Sequence, residues 1–351
     1  MQIFNNWQII SKGWYIAYPS AHLKSNQVKS IKLCGQKIVL FRDQQGRSQA
    51  LHAYCPHLGT DLGLGRVDGD WVRCNFHHWA FDGHGRCRDI PCQAEIPTKA
   101  FLPAYATEEK YGFIWVYPEA KPPFPLPEFD ELKGKELTTQ ADINFTRKCH
   151  HHICMMNGID AQHLNTIHHL DIKMNLSLSE SESGHQIDFT MRGSLPQSTR
   201  RERLFSYILG EQYEYSMRYD NACIGLLTIM KNVRFFPPLH MIYAYAPVPS
   251  INPYGVDPEL SKIKIQPIYV TAKRRGLWGW LVSQFLLICT RLAYYMLRHE
   301  DGLIYDNIQF KANILLGIDA PLGKYIHYVN RLEPSVWSLQ KDAASNIKSN
   351  M

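Results

Sequence analysis

Cys55-Pro56-His57-Leu58-Gly59 and, further on, Cys74-Asn75-Phe76-His77-His78-Trp79 are the stretches from which the rest of the chain is read. Sixteen residues separate His57 from Cys74, so a C-x-H loop is followed by a C-x-x-H loop. Each loop offers one thiolate and one imidazole. Two cysteines and two histidines can hold a tetrahedral zinc ion. They can also hold a [2Fe–2S] cluster in which the cysteines take one iron and the histidines the other. Zinc fingers usually pair Cys with Cys and His with His. A C-x-H pair is too tight to give both ligands to one tetrahedral ion without strain, but it suits ligands that diverge to two irons. The spacing therefore favours the cluster over zinc.

The 351 residues (40.6 kDa) are 45% hydrophobic and 20% charged, an ordinary soluble globular composition that excludes disorder over most of the chain. A net charge of +6 is mild for this length and does not point to nucleic acid. The first residues, MQIFNNWQIISKGWYIAY, lack a basic stretch followed by an apolar one, so no secretory signal is expected. Nine cysteines and sixteen histidines read first as metal ligands in a reducing compartment. Residues 1–118 read as short strands, with runs such as KSIKLCGQKIVLFR (29–42) and YGFIWVYP (111–118) between Gly, Asp and Asn turns. The proline cluster EAKPPFPLPEF (119–129) marks a boundary. Residues 148–170 read as helical, 184–270 again as strands, and 277–298 as a long apolar helix.

The pair CPHLG and CNFHHW resembles the Rieske iron–sulfur signature, and CNFHHWAFDGHGRCRDIP (74–91) is similar to the oxygenase branch in particular. Respiratory Rieske proteins add a second cysteine to each loop and join the two by a disulfide. The matching positions here are Thr60 and either Asn75 or Phe76, so that bridge is excluded. Cys87 and Cys92 lie further on and read as buried or free thiols. The resemblance implies a [2Fe–2S] cluster on Cys55, His57, Cys74 and His77, of low potential and fed by a soluble donor.

A second group of candidates sits in NGIDAQHLNTIHHL (157–170). His163 and His168 are five residues apart, about 140° off a common helical face. One ion would need either a local widening such as a π-bulge or the helix to end between them. Read alone, the segment is equally a polar helix face. With Asn157 and Asp160 it resembles the mononuclear-iron motif of Rieske non-heme iron oxygenases, which implies Fe(II) held by His163, His168 and a later carboxylate with open positions for O2 and substrate. Asp301 in HEDGLIYDNIQFK fits the family pattern, with Asp306 and Glu300 as alternatives. By the same resemblance Asp160 bridges His163 and His77 of a neighbouring subunit, which implies a homotrimer packed head to tail. His150, His151 and His152 read as the polar side of the incoming helix, and His169 either as a group supporting the iron ligands from behind or as a surface group.

The implied architecture is α+β: an all-β Rieske domain (1–118) followed by a helix-grip catalytic domain (119–351), an antiparallel sheet wrapped around helices. The implied activity is that of a terminal oxygenase component, an oxidoreductase that hydroxylates an apolar polycyclic substrate such as a steroid or isoprenoid, with O2 as co-substrate. The Rieske-domain stretch is closest to the branch holding 3-ketosteroid 9α-hydroxylase and cholesterol 7-desaturase. Demethylation, desaturation or dihydroxylation of a smaller aromatic or alkaloid is the alternative within enzymes. An electron-transfer protein with a non-catalytic binding domain is the alternative outside them. No G-x-G-x-x-G fingerprint follows a strand and no second cysteine set suits a plant-type ferredoxin, so an NAD(P)H-dependent reductase, with or without a ferredoxin, is the expected electron donor. Residues 277–297 are long enough to span a bilayer, but Gln284, Arg291 and Arg298 make a polar stripe. A core helix is the expectation there, and a helix lying on a membrane surface the alternative. The expected location is cytoplasmic, soluble or peripheral at a membrane.

Overall fold

Cys34-Gly35 and Tyr111-Gly112 take positive φ at both positions (49° and 85°; 55° and 85°). That is the backbone of a two-residue hairpin turn whose twist matches its strands. The apolar run 29–42 is therefore two strands, β2 (Val28–Leu33) and β3 (Gln36–Arg42), and the second turn joins β9 (Ala104–Lys110) to β10 (Phe113–Tyr117). With β1 (Tyr15–Pro19) and β4 (Ser48–His52) they form a six-stranded antiparallel sheet in the order β1-β10-β9-β4-β3-β2. A smaller sheet follows the order β5 (Arg66–Asp68), β6 (Trp71–Arg73), β7 (Ala80–Phe81), β8 (Cys87–Asp89). Val39, Phe41, Leu51, Leu62, Val72 and Phe81 pack into one core together with the candidate ligands Cys55 and Cys74.

This computed structural model describes residues 2–92, 95–167, 174–194, 212–234 and 236–339, with positions 200, 203 and 207. The chain divides into two units. One comprises Lys12–Leu126 with the segment from Pro334 onward; the other comprises the residues up to Ser11 with Pro127–Glu333. The division thus falls at 126/127 where the sequence suggested 118/119, and both ends of the chain cross over. The proline-rich stretch stays with the smaller unit because Trp14 Nε1 donates to Phe124 O at 3.1 Å and Leu126 is buried. Trp337 packs on Tyr15 and Tyr105 of that unit.

The larger unit is built on an eight-stranded antiparallel sheet: β11 (Leu137–Ala141), β18 (Gly255–Ala272), β17 (Leu239–Asn252), β16 (Ile224–Lys231), β15 (Gln212–Asp220), β14 (Gln186–Ser194) and β13 (Met174–Glu180) in that order, with β12 (Phe145–Arg147) also on β18. Two short helices, α1 (His151–Asn157) and α2 (Ala161–Thr166), take the place of the single helix expected over 148–170. Asp160 breaks it: its backbone is extended and its Oδ1 accepts from His163 N at 3.1 Å, capping α2. The sheet holds this pair by its tyrosines: Tyr215 Oη donates to Gly158 O at 2.6 Å, and Tyr219 Oη donates to Met155 O.

The long helix α3 (Gly276–Tyr305) and α4 (Ala320–Arg331) complete the unit. α3 lies against the sheet through Ser283, Leu286, Leu287, Thr290 and Tyr294, all buried. Its hydroxyls can face inward because they bond back to their own helix, Ser283 Oγ to Gly279 O at 3.0 Å and Thr290 Oγ1 to Leu286 O at 2.8 Å. The consequence is that Trp278, Leu281, Phe285, Ile288 and Leu292 are exposed. α3 is therefore not the buried core helix expected: Ser283 and Thr290 face the protein beside Leu286, Leu287 and Tyr294, while a second row of large apolar residues faces out.

Gly85 (φ +81°) sits where an added Cβ would come within 1.9 Å of Leu102 O, whereas Gly112 (φ +85°) has open space. Gly112→Ala should cost about 1–2 kcal/mol of backbone strain alone. Gly85→Ala should cost more, by about 1–3 kcal/mol of overpacking. Urea unfolding followed by loss of cluster absorbance separates the two; equal midpoints would contradict the packing argument.

Candidate metal centres

The first candidate centre is made by two loops. Residues 54–61 leave β4 and close on themselves, Cys55 N donating to Thr60 O and Gly59 N to Cys55 O, both at 2.9 Å. Residues 74–79 join β6 to β7 and close by Cys74 N to Trp79 O at 2.9 Å. Arg73 braces the second loop, its Nη1 donating to His78 O at 2.7 Å and to Asp89 at 2.6 Å. Cys55 and Cys74 are buried, while His57 and His77 are exposed, with ring centroids 4.6 Å apart. Trp79 stacks flat on His57 at 4.6 Å.

All four expected ligands are thus together, with sulfur inside and imidazole outside. Burial first, and the neighbouring Cys74 with it, pushes the Cys55 thiol up to about 12. Two buried thiols side by side are a donor set suited to a cationic cluster, whose charge would offset the cost of ionising them there. Cys87 is buried, its Sγ 3.6 Å from Asp89 O, and Cys92 is exposed.

The second candidate centre lies in a pocket of the larger unit. His163 Nε2 is 2.9 Å from Asp301 Oδ1, and their side chains are only 8% and 13% exposed. Asn157 Nδ2 is 2.8 Å from the same ring nitrogen. The break between α1 and α2 sets Asn157 at the end of one helix and His163 on the next. Asp301 arrives on the last turns of α3. The competing carboxylate, Asp306, is occupied elsewhere: Arg147 Nη1 donates to it at 3.1 Å and Lys148 N at 3.2 Å. α2 ends at Thr166, between His163 and His168, so no helical widening is needed there. His168 and His169 lie outside the described residues. Imidazole, carboxylate and amide converging in one buried spot are donors that suit a divalent iron.

The pocket walls are apolar and aromatic: Met217, Leu227, Ile265 and Tyr215, Tyr243, Tyr245, Tyr294 and Tyr305. Burial holds the phenols of Tyr243, Tyr245 and Tyr305 well above their ordinary range, so they stay protonated and serve as O–H donors. Leu227 belongs to the pocket wall, while Phe189 and Met191 are buried in the core and do not line it. The tyrosines had a signal in the sequence: Tyr215 and Met217, then Tyr243 and Tyr245, alternate along β15 and β17 and so share one face.

His150, His151 and His152 are not on a polar surface. They are buried at 2%, 3% and 1% exposure, turned inward because α1 itself is enclosed by the sheet and by residues before Ser11.

A family model for the Rieske [2Fe–2S] domain matches residues 13–105. Residues 13–105 are a Rieske domain. The chain is 32% identical over 164 residues to cholesterol 7-desaturase nvd 1 of Ciona intestinalis (46% of this chain, 35% of that protein). It is 35% identical over 133 residues to the oxygenase component of 3-ketosteroid-9-alpha-monooxygenase of Rhodococcus rhodochrous (36% and 35%). The matches therefore span about a third of these relatives' own length. Aminopyrrolnitrin oxygenase PrnD of Pseudomonas fluorescens is 29% identical over 260 residues (64% and 69%). Among solved structures, dicamba monooxygenase superposes over 97% of this chain and 99% of its own with a TM-score of 0.60, and Pseudomonas putida CBB5 NdmB over 92% of each with 0.63, both at 14% identity. The chain thus shares the fold of these two solved structures, and the Rieske domain implies a [2Fe–2S] cluster.

The reduced cluster should show the low average g value of a histidine-ligated [2Fe–2S] centre by electron paramagnetic resonance. His57→Cys should raise it towards that of an all-cysteine ferredoxin. An unchanged spectrum would remove His57 from the ligand set.

Proposed function

We propose that the chain is the terminal oxygenase component of a Rieske non-heme iron oxygenase system, hydroxylating an apolar polycyclic substrate such as a steroid or isoprenoid. The observation that carries this reading is the buried approach of His163 to Asp301 inside an aromatic pocket on a chain that also bears a Rieske domain. Cys55, His57, Cys74 and His77 would hold the cluster; His163, His168 and Asp301 would hold the second iron. When bound, that iron supplies O2 activation once reduced. The chain's own residues do the rest. The apolar wall excludes water and selects a substrate with little polar surface, and the protonated tyrosines orient a keto or hydroxyl group by hydrogen bonds. Asn157 Nδ2 lies 2.8 Å from the same ring nitrogen that would ligate the iron, so its N–H holds that lone pair in the metal-free pocket and must give way when iron binds. Electrons come from a separate NAD(P)H-dependent reductase, with or without a ferredoxin. The names of the steroid-active relatives favour a sterol-like substrate over a small aromatic.

Asp160 is assigned the link between centres. Its Oδ1 already holds the backbone of His163, and its other oxygen would accept from the ring N–H of His77 of a neighbouring subunit in a homotrimer. Asn caps helices as well as Asp does, so Asp160→Asn should keep α2, both metals and the trimer. It removes the charge that couples the imidazoles, and single-turnover rates should fall by about 10–100-fold or more. Loss of mononuclear iron would make Asp160 a ligand; an unchanged rate would make it a cap only. O2 uptake with a surrogate reductase, screened over sterols and small aromatics, tests the substrate class. Uptake by none of them, with both iron centres loaded, would contradict a sterol-like or small aromatic substrate.

The exposed face of α3 is assigned to an anionic membrane surface from which such a substrate would be drawn. From Gly276 to Leu297 the helix contains no acidic residue, Lys273-Arg274-Arg275 precede it, and Trp278 and Trp280 stand at its start. Wild-type protein should sediment with vesicles containing phosphatidylserine, and Leu281→Glu/Phe285→Glu should not, with cluster absorbance unchanged. Failure of the wild type to sediment would exclude this contact.

A further inference from the structure

The three imidazoles at the start of α1 present a set of donors that the two iron centres do not use. His150, His151 and His152 each offer a ligand atom, and all three atoms lie within 4.8 Å of one another. The ring centroids are 4.5, 4.7 and 4.0 Å apart. His150 Nε2, His151 Nδ1 and His152 Nε2 are buried with no hydrogen-bond partner among the described residues. Buried polar atoms are normally satisfied, and three orphaned nitrogens in one cluster indicate a shared partner that is not a side chain.

The opposite ring atoms set the tautomers. His151 Nε2 is 2.9 Å from Ala222 O, a pure acceptor, so this nitrogen carries the proton and Nδ1 is a bare lone pair. Tyr325 Oη donates to Met155 Sδ at 3.2 Å, so at 3.1 Å it accepts from His152 Nδ1, which leaves His152 Nε2 bare as well. His150 Nδ1 receives a long 3.4 Å bond from His152 N and its ring N–H is turned towards the Asn6 backbone carbonyl; both must be given up, with the proton moved to Nδ1, before Nε2 can serve as a ligand. A carbonyl or hydroxyl behind the ring is also how metal-binding histidines are commonly oriented. The site is covered: Phe4 stacks on His152 at 5.4 Å and Trp7 meets His150 edge-on at 4.7 Å.

We propose that His150, His151 and His152 bind one divalent ion of the zinc class, a structural site distinct from both iron centres. An all-imidazole donor set without carboxylate suits zinc, cobalt, nickel or copper rather than magnesium or calcium. Zinc–nitrogen bonds of about 2.0–2.1 Å bring tetrahedral donors to about 3.3 Å from each other, so the rings must turn inward on binding. The ion would pin the start of α1, the helix whose other end carries Asn157.

The full chain, produced with both iron and zinc in the medium and desalted, is analysed for metals and by zinc X-ray absorption. One zinc per chain, bound by three imidazole nitrogens and additional to the iron, is expected. His151→Gln/His152→Gln should lower zinc at least tenfold while iron and cluster absorbance persist. Asp301→Ala should leave zinc unchanged, because zinc straying into the iron pocket would be lost there instead. Wild-type zinc below a tenth per chain overturns the proposal. So does zinc retained by the double variant, lost with Asp301→Ala, or bound mainly by oxygen. Should the double variant not fold, the ligand count from the wild-type absorption spectrum decides. None of these outcomes depends on turnover, so failure here is separate from failure of the oxygenase reading.

Discussion

An imidazole and a carboxylate facing each other at 2.9 Å in an apolar pocket are costly unless something holds both, and much of the larger unit is organised around that constraint. His163 is fixed by the cap that Asp160 provides and by the tyrosine bonds under α1 and α2. Asp301 is fixed because α3 is anchored at both ends of its contact: Thr290 and Tyr294 lie against the sheet, and Asp306, just past the helix, is held by Arg147 and the backbone of Lys148. The two arms meet only because the helix is interrupted at Gly158–Asp160. A continuous helix over 148–170 would carry Asn157 and His163 on different sides.

The two candidate centres solve different problems with the same residue types. In the Rieske domain the two candidate thiols are inside and the two imidazoles outside, so a cluster held by them would have its histidine side open to a redox partner. In the larger unit the imidazole is inside, among protonated phenols and aliphatic side chains, where water is excluded and a hydrogen bond counts for more. Asp160 sits at the edge of that second site and already holds His163 through its backbone. A carboxylate with one oxygen so engaged is well placed to feel any change at the neighbouring ring.

Local chemistry was legible where it is written in short spacings. The C-x-H and C-x-x-H loops could be named from their spacing, whereas the linkage of Asn157, Asp160 and His163 and the preference for Asp301 over Asp306 came only from resemblance to the oxygenase motif; the structure brings the described members of each set together. Hairpins were hidden inside longer runs because Cys34-Gly35 interrupts an otherwise continuous alternation. The orientation of α3 was not legible: Gln284, Arg291 and Arg298 read as the polar stripe of a core helix, yet Ser283 and Thr290 satisfy their hydroxyls within the helix and turn inward, and a row of large apolar residues is left exposed. His150, His151 and His152 read as polar for the same reason, because one-dimensional pattern does not show that a seven-residue helix is enclosed on every side. The tyrosine wall of the pocket follows from strand alternation, but only once the strand register is known.

The iron content of the chain tests the central claim most directly. Protein loaded anaerobically with iron and sulfide and then desalted should hold three irons per chain, two in the cluster and one at His163 and Asp301. A value of two, with full cluster absorbance and no metal in the pocket, would contradict the account and leave an electron carrier in its place.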